Sequence, residues 1–329
     1  MFGYLRFVLA FFVLLSHVNI RIFNMNPGVT AVVMFYLLAG HVVAHLWDNV
    51  LPKGRFRLVW FYRDRVLRIM PLYLYVIFLT LLFLLLTGYG SPQYSFFKLL
   101  GNLVVVPVNY YMVLDTTILT DPSWALIPVA WSLGAELQAY LILPLILCFP
   151  RWKMLLVAGS FAVYMLANQG GLHPDYFGYR LIPGVFFFFA AGACIQRTGF
   201  RSRHLSDRFD RVFPWLLWLV IISLFWIFST ASLFVPGYTK ETFLGLFLGI
   251  PLVFWGSRTR IKLPYNALLG SLSYGVFLAH FLMIWILDYL WPTGVSPVLQ
   301  IPAVFLGSVG IAWTGVRYLE TRMDRIRMK

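Results

Sequence analysis

The chain has 329 residues, of which 60% are hydrophobic and 12% are charged, and its formal net charge is +14. This is far more apolar surface than one water-soluble core can bury, so the composition excludes an ordinary soluble domain and indicates a polytopic membrane protein. In such a protein an excess of Lys and Arg first indicates basic loops on the inner side of the membrane, rather than nucleic-acid binding.

Apolar runs long enough to cross about 30 Å of hydrocarbon occur along the whole chain. We predict an all-α bundle of about ten transmembrane helices, at residues 3–20, 28–47, 70–88, 128–149, 152–168, 180–196, 214–234, 241–257, 267–289 and 298–317. The first run could be taken for a secretory signal, but no small-residue cleavage site follows it, so we keep it as a span. We expect one transmembrane domain over residues 1–329, with no soluble domain after Lys329.

The distribution of basic residues predicts the orientation in the membrane. If the N-terminus is cytoplasmic, only Arg21, Lys98, Arg180 and Lys240 of the 26 Lys and Arg lie outside, which leaves 22 inside. Because cytoplasmic loops are enriched in Lys and Arg, we predict that both termini are cytoplasmic and that the protein crosses the inner (plasma) membrane several times. The positive charge then requires no nucleic-acid partner.

One further apolar segment, residues 99–114, could form an eleventh span. A full crossing there would move the later basic clusters to the outside, against the charge bias. We therefore predict that residues 87–123 form a long outer connection that is partly interfacial or re-entrant. Connections of this length are often functional.

Three of the ionisable side chains inside predicted spans, those of Glu136, His17 and His280, lie at similar depth. Glu136 would cost several kcal/mol there unless it faces a polar interior or a partner, so it indicates a functional site; the alternative is a structural carboxylate paired with a neighbouring helix. His17 and His280 also interrupt apolar runs. At 1.5 Å per helical residue all three lie in the outer half of the bilayer. A lone membrane histidine more often joins two helices, but two histidines and a carboxylate at one depth can provide a general base and its orienting partner.

Two other groups of residues have a spacing that suggests binding. Arg65 and Arg68, at i and i+3, project from one side of a helix start, where they could anchor the helix or grip phosphates in bidentate fashion. His41 and His45, at i and i+4, could hold a metal, but no further convergent ligand is identifiable and we predict no metal site. The two cysteines, Cys148 and Cys194, are expected to be free thiols in a reducing compartment.

Five stretches of the chain carry a family resemblance. They are LRFVLAFFVLLSH at residues 5–17, FYLLAG at 35–40, the pattern R-x-x-R-I-x-P at 65–71, WSLGAELQAY at 131–140 and LGSLSYGVFLAH at 269–280. In this order they resemble the acyltransferase-3 family of integral-membrane O-acyltransferases, which includes bacterial O-antigen and exopolysaccharide acetylases. FYLLAG resembles the family's FFxLSG stretch, and residues 131–140 resemble its WSLSVEEQFY.

The resemblance implies roles for these residues. His17 would be the catalytic base and Glu136 its orienting or charge-balancing partner, with His280 supporting them. Arg65 and Arg68 would hold the phosphates of an acyl-CoA donor, which is a substrate and not a permanently bound cofactor. The residues expected to bind substrate are Arg180, Trp131 and Tyr140. The implied reaction is O-acetylation of a hydroxyl on a cell-surface polysaccharide or its lipid-linked precursor, with acetyl-CoA as donor.

The sequence also departs from the family pattern and leaves alternatives open. Val33 stands where the second helix often has an acidic residue, Leu137 replaces a second acid, and Leu282 replaces a proline. The acceptor could instead be a small secreted molecule such as a macrolide. A transporter or flippase would also account for many helices and intramembrane ionisable residues, but the paired half-sequences of many transporters are not apparent.

Overall fold

The computed structural model describes residues 1–198, 205–230, 237–259 and 261–323, and it is 78% helix and 2% strand. The all-α prediction is therefore confirmed. The helices are α1 Phe2–His17, α2 Pro27–His45, α3 Arg57–Thr87, α4 Phe96–Val104, α5 Val106–Asn109, α6 Ala130–Cys148, α7 Pro150–Asn168, α8 Ile182–Arg197, α9 Leu205–Thr230, α10 Thr239–Arg258, α11 Asn266–Leu290 and α12 Pro297–Gly315. A two-stranded hairpin joins β1 Leu119–Thr120 to β2 Ser123–Trp124.

Seven helical segments in the described part of the chain are long and apolar enough to cross a membrane. They are Pro27–Val50, Arg57–Thr87, Ala130–Cys148, Tyr176–Arg197, Arg208–Thr230, Asn266–Leu290 and Pro297–Met323, with shorter apolar helices at Phe2–His17 and Trp152–Asn168. The remaining predicted run forms α10, a helix of 20 residues. Each of the ten runs is thus largely helical over its described residues, while the number that cross the membrane and the side of each terminus stay predictions. Six of the 22 basic residues counted as cytoplasmic lie outside the described residues: Arg201, Arg203, Arg260, Arg325, Arg327 and Lys329.

The chain divides into two compact units. The first comprises Met1–Ile20, Leu58–Gly134 and Lys262–Lys329, and the second comprises Arg21–Arg57 and Ala135–Ile261. The boundary falls inside α6, after Gly134.

In the first unit, α1 packs along α11, and α11 packs along α12. Glycines permit the close approach: a Cβ added at Gly3 would lie 1.7 Å from the backbone oxygen of Asn266, and one at Gly275 would lie 2.5 Å from the Cβ of Ala312. The Gly3 amide also donates a 2.9 Å hydrogen bond to the Asn266 side chain. Small residues at membrane helix contacts allow backbones to meet in this way, and here they fix the register of α1 against α11.

In the second unit, α2 packs against α8 and α10. Helix α8 is buried over most of its length, including the run Phe186–Phe189. A Cβ added at Gly40 would lie 1.8 Å from the backbone oxygen of Phe189, and one at Gly192 would lie 1.9 Å from that of Leu37. The α2 and α8 backbones therefore touch, which fixes the side chains between them.

The outer connection is not a continuous eleventh span. It forms α4 of nine residues and α5 of four, and Val105 between them has a φ of 71°. Helices this short cannot cross about 30 Å of hydrocarbon. The fully buried Asn102 and Asn109 bind backbone groups elsewhere in the first unit: Asn102 Nδ2 donates to the Thr116 oxygen at 2.8 Å, and Asn109 Nδ2 donates to the Trp131 oxygen at 3.0 Å. Buried side-chain amides allow irregular backbone to pack inside the first unit.

Candidate active site

The first unit brings two of the predicted catalytic residues together. Helix α1 ends at His17, a few residues earlier than predicted, and His280 lies in the middle of α11. His280 Nε2 lies 3.2 Å from His17 Nδ1, and the ring centroids are 5.1 Å apart. His280 is fully buried, whereas His17 is half-buried. The packing of α1 along α11 brings the two imidazoles together.

Backbone carbonyls determine which ring nitrogens carry protons. His17 Nδ1 lies 2.8 Å from the carbonyl oxygen of Val13, and His280 Nδ1 lies 3.3 Å from that of Val276. A carbonyl can only accept, so we assign a proton to each Nδ1. His280 Nε2 then accepts from His17 Nδ1–H. In the neutral pair the lone pair of His17 Nε2 remains as the basic position, which is what a general base requires.

Aromatic rings cover the histidine pair. The Phe281 ring lies 4.7 Å from that of His17 and 5.1 Å from that of His280, and Trp124 of β2 packs on Phe281 at 5.4 Å. Sequence reasoning missed both aromatic residues. Phe281 could have been identified from the sequence, because it directly follows the predicted site residue His280. Nothing in the sequence indicates that Trp124 contacts α11.

Glu136 belongs to the second unit, where it is half-buried. Tyr140, one helical turn later, donates a short hydrogen bond to Glu136 Oε1. This i, i+4 arrangement places both predicted residues on one face of α6. Trp131 lies at the start of the same helix but in the first unit, where its backbone oxygen accepts from Asn109.

The second unit also contains Arg180, at the end of the wide helical turn Tyr176–Arg180 that precedes α8. Its Nε donates to Asp175 Oδ2 at 2.8 Å, and its guanidinium lies 5.4 Å from the Tyr179 ring centroid. Tyr36 of α2, which sequence reasoning did not single out, lies in the same unit as Arg180 and Glu136.

Arg65 and Arg68 both have carboxylate partners. Arg65 is buried and donates from Nε and Nη2 to Asp64 Oδ2, at 3.0 and 2.5 Å. Arg68 forms a salt bridge with Glu320, which also accepts a 2.8 Å hydrogen bond from Ser271. A phosphate at these guanidinium groups would have to exchange with carboxylates. The sequence pattern predicts the two arginines but gives no sign of Glu320, which lies in the turn Val316–Glu320 at the other end of the chain.

The histidines with metal spacing do not lie in a cluster of ligands. His41 is buried, His45 lies 3.2 Å from the Asn49 side chain, and Asp48 accepts two 2.7 Å hydrogen bonds from Arg197. Within the described ranges no group of three or more His, Cys, Asp or Glu could hold a metal ion. Both cysteines are free thiols, Cys148 exposed and Cys194 buried.

Comparison with known proteins agrees with the sequence resemblance. Residues 2–317 match the family described as "Acyltransferase domain", the acyltransferase-3 family. A protein of Aquifex aeolicus (strain VF5) named "Uncharacterized protein" is 40% identical over 211 residues, which cover 63% of this chain and 92% of that protein. No solved structure matches the chain. Because the family match includes nearly every residue, the chain belongs to the acyltransferase-3 family of membrane acyltransferases.

Proposed function

We propose that this protein is an acyl-CoA-dependent O-acyltransferase that acetylates a hydroxyl on a cell-surface polysaccharide or its lipid-linked precursor. The observation that carries the proposal is the pairing of His17 with His280 at 3.2 Å, which leaves a basic nitrogen on His17. Hydroxyls are weak nucleophiles at neutral pH, and a positioned base is the usual means of activating them.

In this reaction His17 Nε2 takes the proton of the acceptor hydroxyl while its oxygen attacks the thioester carbonyl. The new carbon–oxygen bond forms the ester, the carbon–sulfur bond breaks, and the CoA thiolate leaves and recovers the proton from His17. His280 keeps His17 in the productive tautomer through the hydrogen bond to Nδ1. Glu136 keeps its predicted role as the orienting or charge-balancing carboxylate of the reaction.

The donor and acceptor use the remaining predicted residues. Arg65 and Arg68 bind the phosphates of acetyl-CoA, and Asp64 and Glu320 release the guanidinium groups when the donor binds. Arg180, Trp131 and Tyr140 each keep their predicted role in binding substrate. We also place the protein in the inner membrane with about ten spans and cytoplasmic termini, because 22 of its 26 basic residues then lie inside.

The test is release of free CoA thiol from acetyl-CoA by the purified protein in lipid vesicles, with and without extracted cell-surface glycan. We expect CoA release that depends on the glycan, together with a mass increase of one acetyl group on the glycan. His17→Ala serves as the inactive control. A transporter or flippase would release no CoA, and that result would reject the proposed function.

A further inference from the structure

The hydroxyl of Tyr36 is buried without a protein partner. The side chain is 2% exposed, and its Oη makes no hydrogen bond to any of the residues that the structure describes. A buried hydroxyl that has left water and found no partner costs free energy, and native proteins contain few of them. Such a group calls for an explanation in terms of what it binds.

Tyr36 cannot turn toward another partner, because its ring is held between aromatic neighbours on α8. The ring stacks on Phe188 with centroids 6.2 Å apart and packs on Phe189 at 4.5 Å. The contact of Gly40 with the Phe189 backbone keeps α2 and α8 at this distance. The hydroxyl therefore has a fixed position, as expected of a group that is preorganised to bind a ligand.

The same unit contains Arg180 and Glu136, which are predicted to bind substrate and to balance charge, and also Tyr179. Arg180 carries a guanidinium, Glu136 a carboxylate and Tyr179 a second phenol. The set offers donors, an acceptor and a phenol that can both donate and accept. Vicinal hydroxyls of a sugar ring, each a donor and an acceptor, match this set better than an apolar or singly charged ligand does.

We propose that the Tyr36 hydroxyl hydrogen-bonds to a hydroxyl or ring oxygen of a sugar in the acceptor and so helps to select that acceptor. The inference rests on the proposed function and adds to it a specificity-determining residue of this particular chain.

Tyr36→Phe removes only the hydroxyl, and the chain offers a matched control in Tyr164→Phe. Tyr164 is also fully buried among phenylalanines of α8, but its hydroxyl is hydrogen-bonded to Thr242 at 2.9 Å. Because Tyr36→Phe breaks no protein hydrogen bond, its melting temperature should equal or exceed that of the wild type. Tyr164→Phe should have a lower melting temperature, since it leaves a buried threonine hydroxyl with one bond fewer.

The ligand test uses methyl α-D-glucopyranoside, methyl α-D-galactopyranoside and methyl α-L-rhamnopyranoside as probes of the sugar site. At least one should raise the melting temperature of the wild type and of Tyr164→Phe. The same probe should bind Tyr36→Phe about threefold to tenfold more weakly, the value of one neutral hydrogen bond. In turnover with glycan, the KM for the acceptor should rise in Tyr36→Phe while the KM for acetyl-CoA is unchanged.

Two results would overturn the inference: no probe stabilises the wild type, or Tyr36→Phe binds the probes as tightly as the wild type does. Probe binding requires no turnover, so it separates this inference from the proposed function. CoA release without probe binding would reject the sugar site alone. Tyr36-dependent probe binding without CoA release would reject the acyltransferase reaction and keep the site.

Discussion

His17 Nδ1 lies 3.2 Å from His280 Nε2, although 263 residues separate the two histidines in the chain. The second imidazole accepts the Nδ1–H of the first, which is the orienting role that a carboxylate has in a Ser-His-Asp triad. A neutral imidazole can fix the tautomer but supplies no negative charge to stabilise the imidazolium that forms during catalysis. This difference is the reason for keeping a separate carboxylate, Glu136, in the proposed mechanism.

The histidine pair predicts non-additive losses of activity. His17→Ala should lower kcat for CoA release by about 10²-fold or more, since it removes the base. His280→Ala should lower it by about tenfold, because His17 loses one hydrogen bond that fixes its tautomer. The double variant should be little slower than His17→Ala alone, since the two residues act as a unit. Losses that multiply, in variants with wild-type melting temperatures, would show that the histidines act independently.

Glu136→Gln tests the carboxylate. The amide keeps the size of the side chain and can still accept from Tyr140, so folding and acetyl-CoA binding should persist while kcat falls by about 10²-fold or more. Tyr140→Phe is the comparison, because it removes the hydrogen bond and retains the charge; it should cost about tenfold or less. If Glu136→Gln transfers acyl groups at the wild-type rate, then Glu136 is a structural carboxylate.

The helices could be predicted from the sequence because apolar length alone determines them, whereas the partners of individual polar atoms could not. The described parts of the runs predicted to be spans are largely helical. Depth counting put His17, His280 and Glu136 in the outer half of the bilayer, and the first two of these side chains meet in the first unit. The position of the break at Val105 could not be predicted, because the sequence does not show which distant backbone groups the Asn102 and Asn109 side chains bind. The unpartnered hydroxyl of Tyr36 could likewise not be predicted, because a sequence does not show which hydrogen-bond donors contact acceptors.

Reporter fusions test the predicted topology, which rests on the charge bias. Fusions after Arg211 and Lys329 should report the cytoplasm, and fusions near Gln93 and Thr293 should report the outside. The fusion after Arg211 is the informative one for the outer connection, because a full crossing by residues 99–114 would move Arg211 to the outside. A cytoplasmic Gln93 or an external Arg211 would change both the number of spans and their orientation.

The salt bridge between Arg68 and Glu320 allows an effect on donor binding to be distinguished from an effect on protein stability. If Arg68 grips a CoA phosphate, Arg68→Lys should raise the KM for acetyl-CoA, because a point charge cannot reproduce bidentate geometry. Glu320→Gln should leave this KM unchanged or lower it, since it removes a carboxylate that competes with the phosphate. A purely structural salt bridge predicts instead that both variants lose stability and neither changes the KM.

Arg197→Lys is the matched control, because Arg197 holds Asp48 through two 2.7 Å hydrogen bonds and has no proposed role in binding the donor. It should lower the melting temperature with no effect on the KM for acetyl-CoA, so a similar rise in KM in Arg68→Lys and Arg197→Lys would contradict a phosphate site at Arg68.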